Sequence, residues 1–489
     1  MLFRHTNILP LVGLLCACAP EIAAPTFPCT PGTDNSVSFE LDQMPCVQLT
    51  IDENDFRSLG SQTRFEGSTS DQLSGAVGHI LHSCTEPFPD PFTHFPADVQ
   101  IEGLSAQNIG VRKKGFVGSV LTGSERRPSL KIKPDKYVEN QLLGDLVSVT
   151  LNNNLTDASR MRTCLVYSVF HDAGYPAPLC NLANVMVNDV SLGAYTHVEP
   201  IKNAFLQRAF GNDTGSLYES TISDFTPSHL ADGLGRWEAK TDESIPDATL
   251  LWNVARALEA DDESLAEELD RVLDIDLFLS FWALETLVNH GDGYNANSNN
   301  SYVYFDPDRE DRAIFIPWGP DDAMQEVERG EFNNSAIARR LSRHPTFSNL
   351  YIAKLSDMLE NVWVESRLDE RILIKQAHVE SAEDTPELTA TVDELRSWIE
   401  GRRSTIEKII EDGASAGEEW ENECVPAAID ELLGTGEVVS TASISCTVHH
   451  GSVQPFWVLF ALCGLRRMQI QRRRGTCRYK GQKMQKENP

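Results

Sequence analysis

Asn289-His290-Gly291-Asp292-Gly293-Tyr294-Asn295-Ala296-Asn297-Ser298-Asn299-Asn300 is the stretch whose reading decides the fold. It follows an apolar run, Leu277-Phe278-Leu279-Ser280-Phe281-Trp282-Ala283-Leu284. After it come Tyr302-Val303-Tyr304-Phe305, a turn, and Ala313-Ile314-Phe315-Ile316-Pro317-Trp318-Gly319-Pro320-Asp321-Asp322. The pattern predicts a helix, a polar loop, two strands joined by a turn, and an acidic loop. A polar loop with one Asp and an Asn five residues on can offer a base and a hard-oxygen metal ligand.

The 489 residues leave room for one large domain with additions, and a hydrophobic content of 41% supports a sizeable core. Acidic residues number 72 against 42 basic ones, a formal net charge of -30. Such a chain repels phosphate backbones, so nucleic acid is not expected as a main partner. The stretch from Arg466 to Lys486 is strongly basic, so the body is more acidic than the total.

Residues 1–18 read as a lipoprotein signal peptide. A weakly basic start, Met1 to His5, leads into Ile8 to Leu15, an apolar run too short to span a bilayer. Leu15-Cys16-Ala17-Cys18 has the pattern of a bacterial lipobox, which places the lipid on Cys18. An ordinary signal peptide cut nearby is the plainer alternative. Both export the chain, and the first anchors it to a membrane of the cell envelope or at the outer membrane surface. Export makes disulfides plausible, and no C-x-x-C pair suggests a zinc ribbon. Cys29–Cys46, Cys164–Cys180 and Cys424–Cys446 are the pairs suggested by proximity in sequence alone; Cys84 is left over.

Residues 19–45 read as a tether. Cys46 to Ile51 alternates as a first strand, and Asp52 to Arg57 as a short helix. Residues 60–95 read as a polar surface excursion, and Pro96 to Ile101 as a strand. Ile109-Gly110-Val111-Arg112-Lys113-Lys114-Gly115-Phe116-Val117-Gly118-Ser119 reads as a strand entering a Gly-containing loop with three cations. Alternation in Ser129-Leu130-Lys131-Ile132-Lys133 puts both lysines on one face. Cations beside such a loop can hold phosphates, although a solvated edge strand gives the same pattern. Leu146 to Leu151 reads as a strand. Asp157 or Ser159 caps a following helix, in which Arg160 and Arg162 oppose the dipole and so are expected to serve another partner. A hairpin follows over 184–199, then a short helix, Ala204 to Phe210. Residues 211–245 read as irregular. Helices are predicted near 247–259, 262–273, 334–342, 346–363, 367–380 and 387–412. A linker, 413–452, leads to an apolar-basic tail, 453–489.

The blocks Val111-Arg112-Lys113-Lys114-Gly115, Pro128 to Lys133, Leu151 to Arg162, Val187 to Ile201, Asp292-Gly293-Tyr294 and Ile316-Pro317-Trp318 together resemble the CotH kinase family, named for a spore-coat protein. Their order covers roughly residues 95–412. The resemblance implies an α+β, protein-kinase-like bilobal fold over 46–412, with a sheet-rich N-lobe (about 46–200) and a mostly helical C-lobe (about 201–412). It implies ATP and Mg2+ (or Mn2+) as cofactors. It makes Asp292 the base and Asn297 and Asp321 metal ligands. Arg112, Lys131 and Lys133 become nucleotide contacts, Lys131 favoured slightly over Lys133, and Glu199 takes the hinge position. Two departures stand out. Gly319 occupies the place of the first Asp in the family's Pro-Trp-Asp-x-Asp block, and the helix in the regulatory position has no Glu. The function implied is transfer of the ATP γ-phosphoryl to a hydroxyl of an exported or surface protein. The alternative is a non-catalytic surface module that keeps the fold to bind other proteins.

Overall fold

The computed structural model describes residues 29–32, 39–241, 248–326 and 332–415. The signal segment with Cys18, the tail, most of the tether and linker, and the Cys424–Cys446 pairing lie outside the described residues. Strands β1 (Cys46–Ile51), β2 (Phe95–Ile101), β3 (Leu104–Lys113), β4 (Leu130–Lys133), β5 (Val149–Asn152), β6 (Cys180–Val187) and β7 (Val190–Val198) form a closed barrel in the order β1-β2-β3-β4-β5-β7-β6. The barrel closes through a parallel β1–β6 pair, and its other neighbours are antiparallel. Closure removes exposed edges. The alternation seen in the sequence fills the interior with Val47, Leu49, Ile101, Val111, Ile132, Leu151 and Val185, all buried.

A second, antiparallel sheet carries β8 (Ser216–Ser220), β9 (Trp237–Ala239), β10 (Ser301–Asp306) and β11 (Arg312–Pro317), ordered β11-β10-β8-β9. Helices Ile275–Val288, Pro345–Asn361, Glu365–Ala382 and Leu388–Asp412 supply most of the remaining core. The architecture is α+β, and the later residues are not purely helical. Among the described residues, no helix is long and apolar enough to cross a membrane.

Three expectations are corrected. Residues 211–245 hold β8 and β9, whose five and three residues are too short to show periodicity. They exist because β8 pairs with β10 across some eighty residues, a long-range partner that local propensity does not reveal. The excursion at 60–95 contains a helix, Thr69–His82, closed by a capping box between Ser68 and Asp71. The expected strand at 146–151 is shorter and shifted, β5, because Leu143 and Leu146 bridge each other in a turn. The pairs Cys29–Cys46 and Cys164–Cys180 are both formed, and Cys84 is disulfide-bonded as well.

Helix Ile275–Val288 is apolar nearly all round because it is buried nearly all round. Phe315 on β11 sits at its centre of contact, with ring centroids 5.1 Å from Phe278, 5.3 Å from Phe281 and 4.6 Å from Tyr294. Phe315→Ala is therefore expected to cost about 3–5 kcal/mol. The check is a shift of the urea midpoint to lower concentration with the slope unchanged; a loss under about 1 kcal/mol would show that the aromatic cluster collapses to fill the space.

Candidate active site

The loop that follows helix Ile275–Val288 is fixed by two buried carboxylates. Glu285, in the last turn, is buried and accepts hydrogen bonds from Tyr294 N at 3.0 Å, Asn295 N at 2.8 Å and Asn295 Nδ2 at 2.8 Å. His290 Nδ1 lies 3.4 Å from the same carboxylate. Burial pulls the His290 pKa down, but Glu285, Asp322 and Asp292 overcome it and the net shift is upward. Gly293 is required here, since a Cβ would fall 2.2 Å from Glu285 Oε1. Asp224 holds the far end of the loop. It accepts from Tyr294 Oη at 2.7 Å, Ser298 Oγ at 3.1 Å and Ala336 N at 2.7 Å. Asn289, Ser298 and Asn300 take left-handed φ values of 55°, 51° and 46°, which explains the loop's richness in Asn.

Between these clamps stands Asp292. Asn297 Nδ2 donates to its Oδ1 at 2.7 Å, and Asn300 Nδ2 to its Oδ2 at 2.8 Å. Asp292 and Asn300 line a cleft of about 430 Å³ between the barrel and the second sheet. Asp321, in the loop after β11, lines it too, and Thr156 donates its hydroxyl to the Asp321 carboxylate. Burial raises the Asp321 pKa against that hydrogen bond, and the charge of Asp292 raises it further. Two carboxylates thus face one space closely enough to repel. Tyr167, from helix Arg162–Asp172, is hydrogen-bonded to the Gly319 backbone and feels the charge of Asp321.

The opposite wall is cationic. Burial lowers the Lys131 pKa to about 8, and the further charges acting on it are Lys202, Arg112, Lys240 and Lys114, all cations. Lys114 is likewise lowered to about 8 by burial, against the pull of Glu219 and Asp321, and donates to Asn152 Oδ1 at 2.5 Å. Arg112 pairs with Asp90 at 3.2 Å at the cleft's edge.

Asp292, Asp321, Lys131 and Arg112 are therefore brought to one cleft. Asn297 supports Asp292 but does not line the cleft; Asn300 does. Lys133, further along the same face of β4, does not line the cleft and lies 3.7 Å from Asp135. Glu199 is taken by Arg208 at 2.5 Å and by Leu179 N at 3.0 Å, outside the lining. Of the two arginines that oppose the helix dipole, Arg162 pairs with buried Asp157 at 2.8 Å and Arg160 with Glu383 at 3.1 Å. Lys114, Glu219, Thr156, Asn300, Asp224 and Glu285 were not singled out from sequence. Lys114 had a signal, since alternation sets it on the face of Arg112. Glu219, on β8, pairs with Lys240 and also pulls on Lys114 by its charge.

Gly319 has φ +54°, and a Cβ there would stand 2.9 Å from Asn300 Oδ1. A side chain at this position would press on the amide that holds Asp292. Among the described residues, no three or more His, Cys, Asp or Glu gather as a metal cage. Mg2+ in phosphoryl-transfer sites is held by one or two carboxylates with the remaining ligands from phosphate and water, and Asp321 in the cleft lining suits that smaller demand.

Comparison with known proteins agrees with the block order. The profile of the family described as CotH kinase protein matches residues 111–406, more than half of the chain. An inner spore coat protein H-like protein of Bacillus subtilis (strain 168) is 25% identical over 258 residues, covering 51% of this chain and 73% of that protein.

Glu285→Gln tests the clamp. Gln keeps the volume but turns an amide group toward backbone N–H donors, so a loss of about 1–3 kcal/mol is expected. Amide exchange of Tyr294 and Asn295 should rise well beyond that of helix Leu388–Asp412; equal protection in both variants would show that the loop is held by other contacts.

Proposed function

The chain belongs to the CotH kinase protein family, and from that premise we propose that its cleft binds ATP with Mg2+ or Mn2+ and transfers the γ-phosphoryl to a hydroxyl of an exported or surface protein. The observation that carries this reading is the opposition, in one cleft, of Lys114 and Lys131 to Asp292 and Asp321. Such a layout suits a polyanion with a cation held between it and the carboxylates. In this reading the barrel and the helical region are the two lobes of a protein-kinase-like fold. The lipid on Cys18 would hold the enzyme at a membrane of the envelope.

The divalent ion, when bound, would offset charge on the phosphate oxygens. Lys114 and Lys131 place two further positive charges against the phosphates, with Arg112 at the rim. Asp292 is the base. It takes the proton of the acceptor hydroxyl as the new oxygen–phosphorus bond forms and the bond from the γ-phosphorus to the bridging oxygen breaks, releasing ADP. Asn297 and Asn300 hold both carboxylate oxygens of Asp292, so its orientation is set before the substrate arrives. Thr156 does the same for Asp321. Lys133 and Glu199 have no part in this scheme. Gly319, where relatives carry an Asp, is the observation that favours a non-catalytic binding module instead.

Asp292→Asn should lower transfer of label from ATP by about 10²–10⁴-fold, the range expected for general-base removal, with nucleotide binding retained. Wild-type protein that neither binds nucleotide nor transfers label would end the enzyme reading. A pH series gives a second check. Lys114 and Lys131 are cationic below about 8. Affinity for MgATP should therefore fall as pH rises from 7 to 9, well short of the ordinary lysine range. Affinity that holds steady to pH 10 would remove Lys114 and Lys131 as phosphate contacts.

A further inference from the structure

The excursion between β1 and β2 is fastened at two points by buried cations that belong to different parts of the molecule. Lys113, on β3, is 1% exposed, and its ammonium donates to Gly60 O at 2.9 Å and Gln62 O at 3.0 Å. Arg236, just before β9, is 2% exposed. Its guanidinium donates to Glu86 O at 3.1 Å and Ser83 O at 2.5 Å, and lies 4.7 Å over the Phe88 ring. Thr85 adds a hydrogen bond to Asp232 at 2.6 Å, and Cys84 is disulfide-bonded. Two buried charges satisfied by carbonyls are costly to release, because each would be left desolvated without partners.

The residues that follow the second fastening face the cleft. Pro87, Phe88, Asp90 and Phe92 line it. Phe88 meets Phe116 edge-on at 5.0 Å. Arg64, from the same segment, donates to Gly115 O at 3.3 Å and stands 5.2 Å over the Phe116 ring. Gly115 has φ +94°, which lets the chain turn there between β3 and the short helix Val117–Val120. The segment precedes residue 111, where the family match begins.

We propose that residues 60–94 form a strap across the cleft, and that Arg236 is a positioning residue which, through Phe88 and Arg64, holds the Gly115–Gly118 loop in place over the nucleotide. The strap couples the second sheet to a loop of the barrel. Its link to the nucleotide rests on the function proposed above; its mechanical role does not.

Hydrogen exchange on the full chain, with MgADP binding measured in parallel, tests both. In Arg236→Gln, amides of residues 79–92 and 115–118 should exchange about tenfold faster, while helix Leu388–Asp412 keeps its protection; tenfold corresponds to about 1.4 kcal/mol of local opening. Phe88→Ala, which leaves the Arg236 bonds in place, should loosen 115–118 but not 79–86. The Kd for MgADP should rise about tenfold in Arg236→Gln and recover in part in Arg236→Lys, with kcat for transfer less affected than KM. Faster exchange throughout the protein, or none at 115–118 in either variant, overturns the strap. Wild-type protein that fails to bind MgADP overturns only the nucleotide link, and the exchange data then judge the strap alone.

Discussion

A buried carboxylate has to be satisfied by hydrogen-bond donors, and Glu285 finds them in the loop that carries Asp292. This constraint organises the rest. Moving the loop would orphan a buried charge, which costs several kcal/mol, so the loop is as rigid as the helix it follows. That helix is in turn seated by the aromatic cluster around Phe315 and by Arg402, which is buried and donates to Leu287 O at 3.0 Å and to Thr286 O. The loop after β11 is tied to the same helix end, through Met324 N to Val288 O at 2.9 Å and Asn289 Nδ2 to Gln325 O at 2.7 Å. Asp292 and Asp321 owe their common cleft to that shared anchor.

The same device recurs at other joints. Asp224 binds strand, loop and helix through one carboxylate, and Lys113 and Arg236 hold backbone carbonyls from a segment far away in sequence. Charged hydrogen bonds to backbone groups are stronger than neutral ones and leave the acceptor carbonyls no need of water. In the cleft the pattern changes. There the lysines act on one another and the carboxylates repel, an arrangement that costs free energy and marks the cleft as a candidate functional site. Structural charges meet opposite charge or hydrogen-bond partners, whereas the cleft also sets like charges beside one another.

Much of this was legible in the sequence, for reasons that can be located. The barrel strands alternate cleanly because one face is buried, and the helices from Pro345 onward show their stripes for the same reason. Asp292, Asp321 and Lys131 followed from block order. The strands β8 and β9 were not legible, since a five-residue strand takes its stability from partners far along the chain. Asn297 was read by its spacing from Asp292, but spacing does not say which amide turns to the cleft; the left-handed turn at Ser298 and Asn300 decides it in favour of Asn300. Glu285 was invisible because a Glu in an apolar helix carries no mark of what its carboxylate will hold. The strap was missed because its anchors, Lys113 and Arg236, make sense only once two distant segments meet.

The central proposal is that Asp321 holds a cation only together with phosphates, never as part of a closed metal cage, while Asp292 serves as the base. Electron paramagnetic resonance of Mn2+ titrated into the protein, with and without ATP, tests it directly. The account predicts weak binding of Mn2+ alone and a marked gain in bound Mn2+ when ATP is present, lost in Asp321→Asn. Mn2+ binding that is equally strong without ATP, or that survives removal of the Asp321 carboxylate, would contradict it.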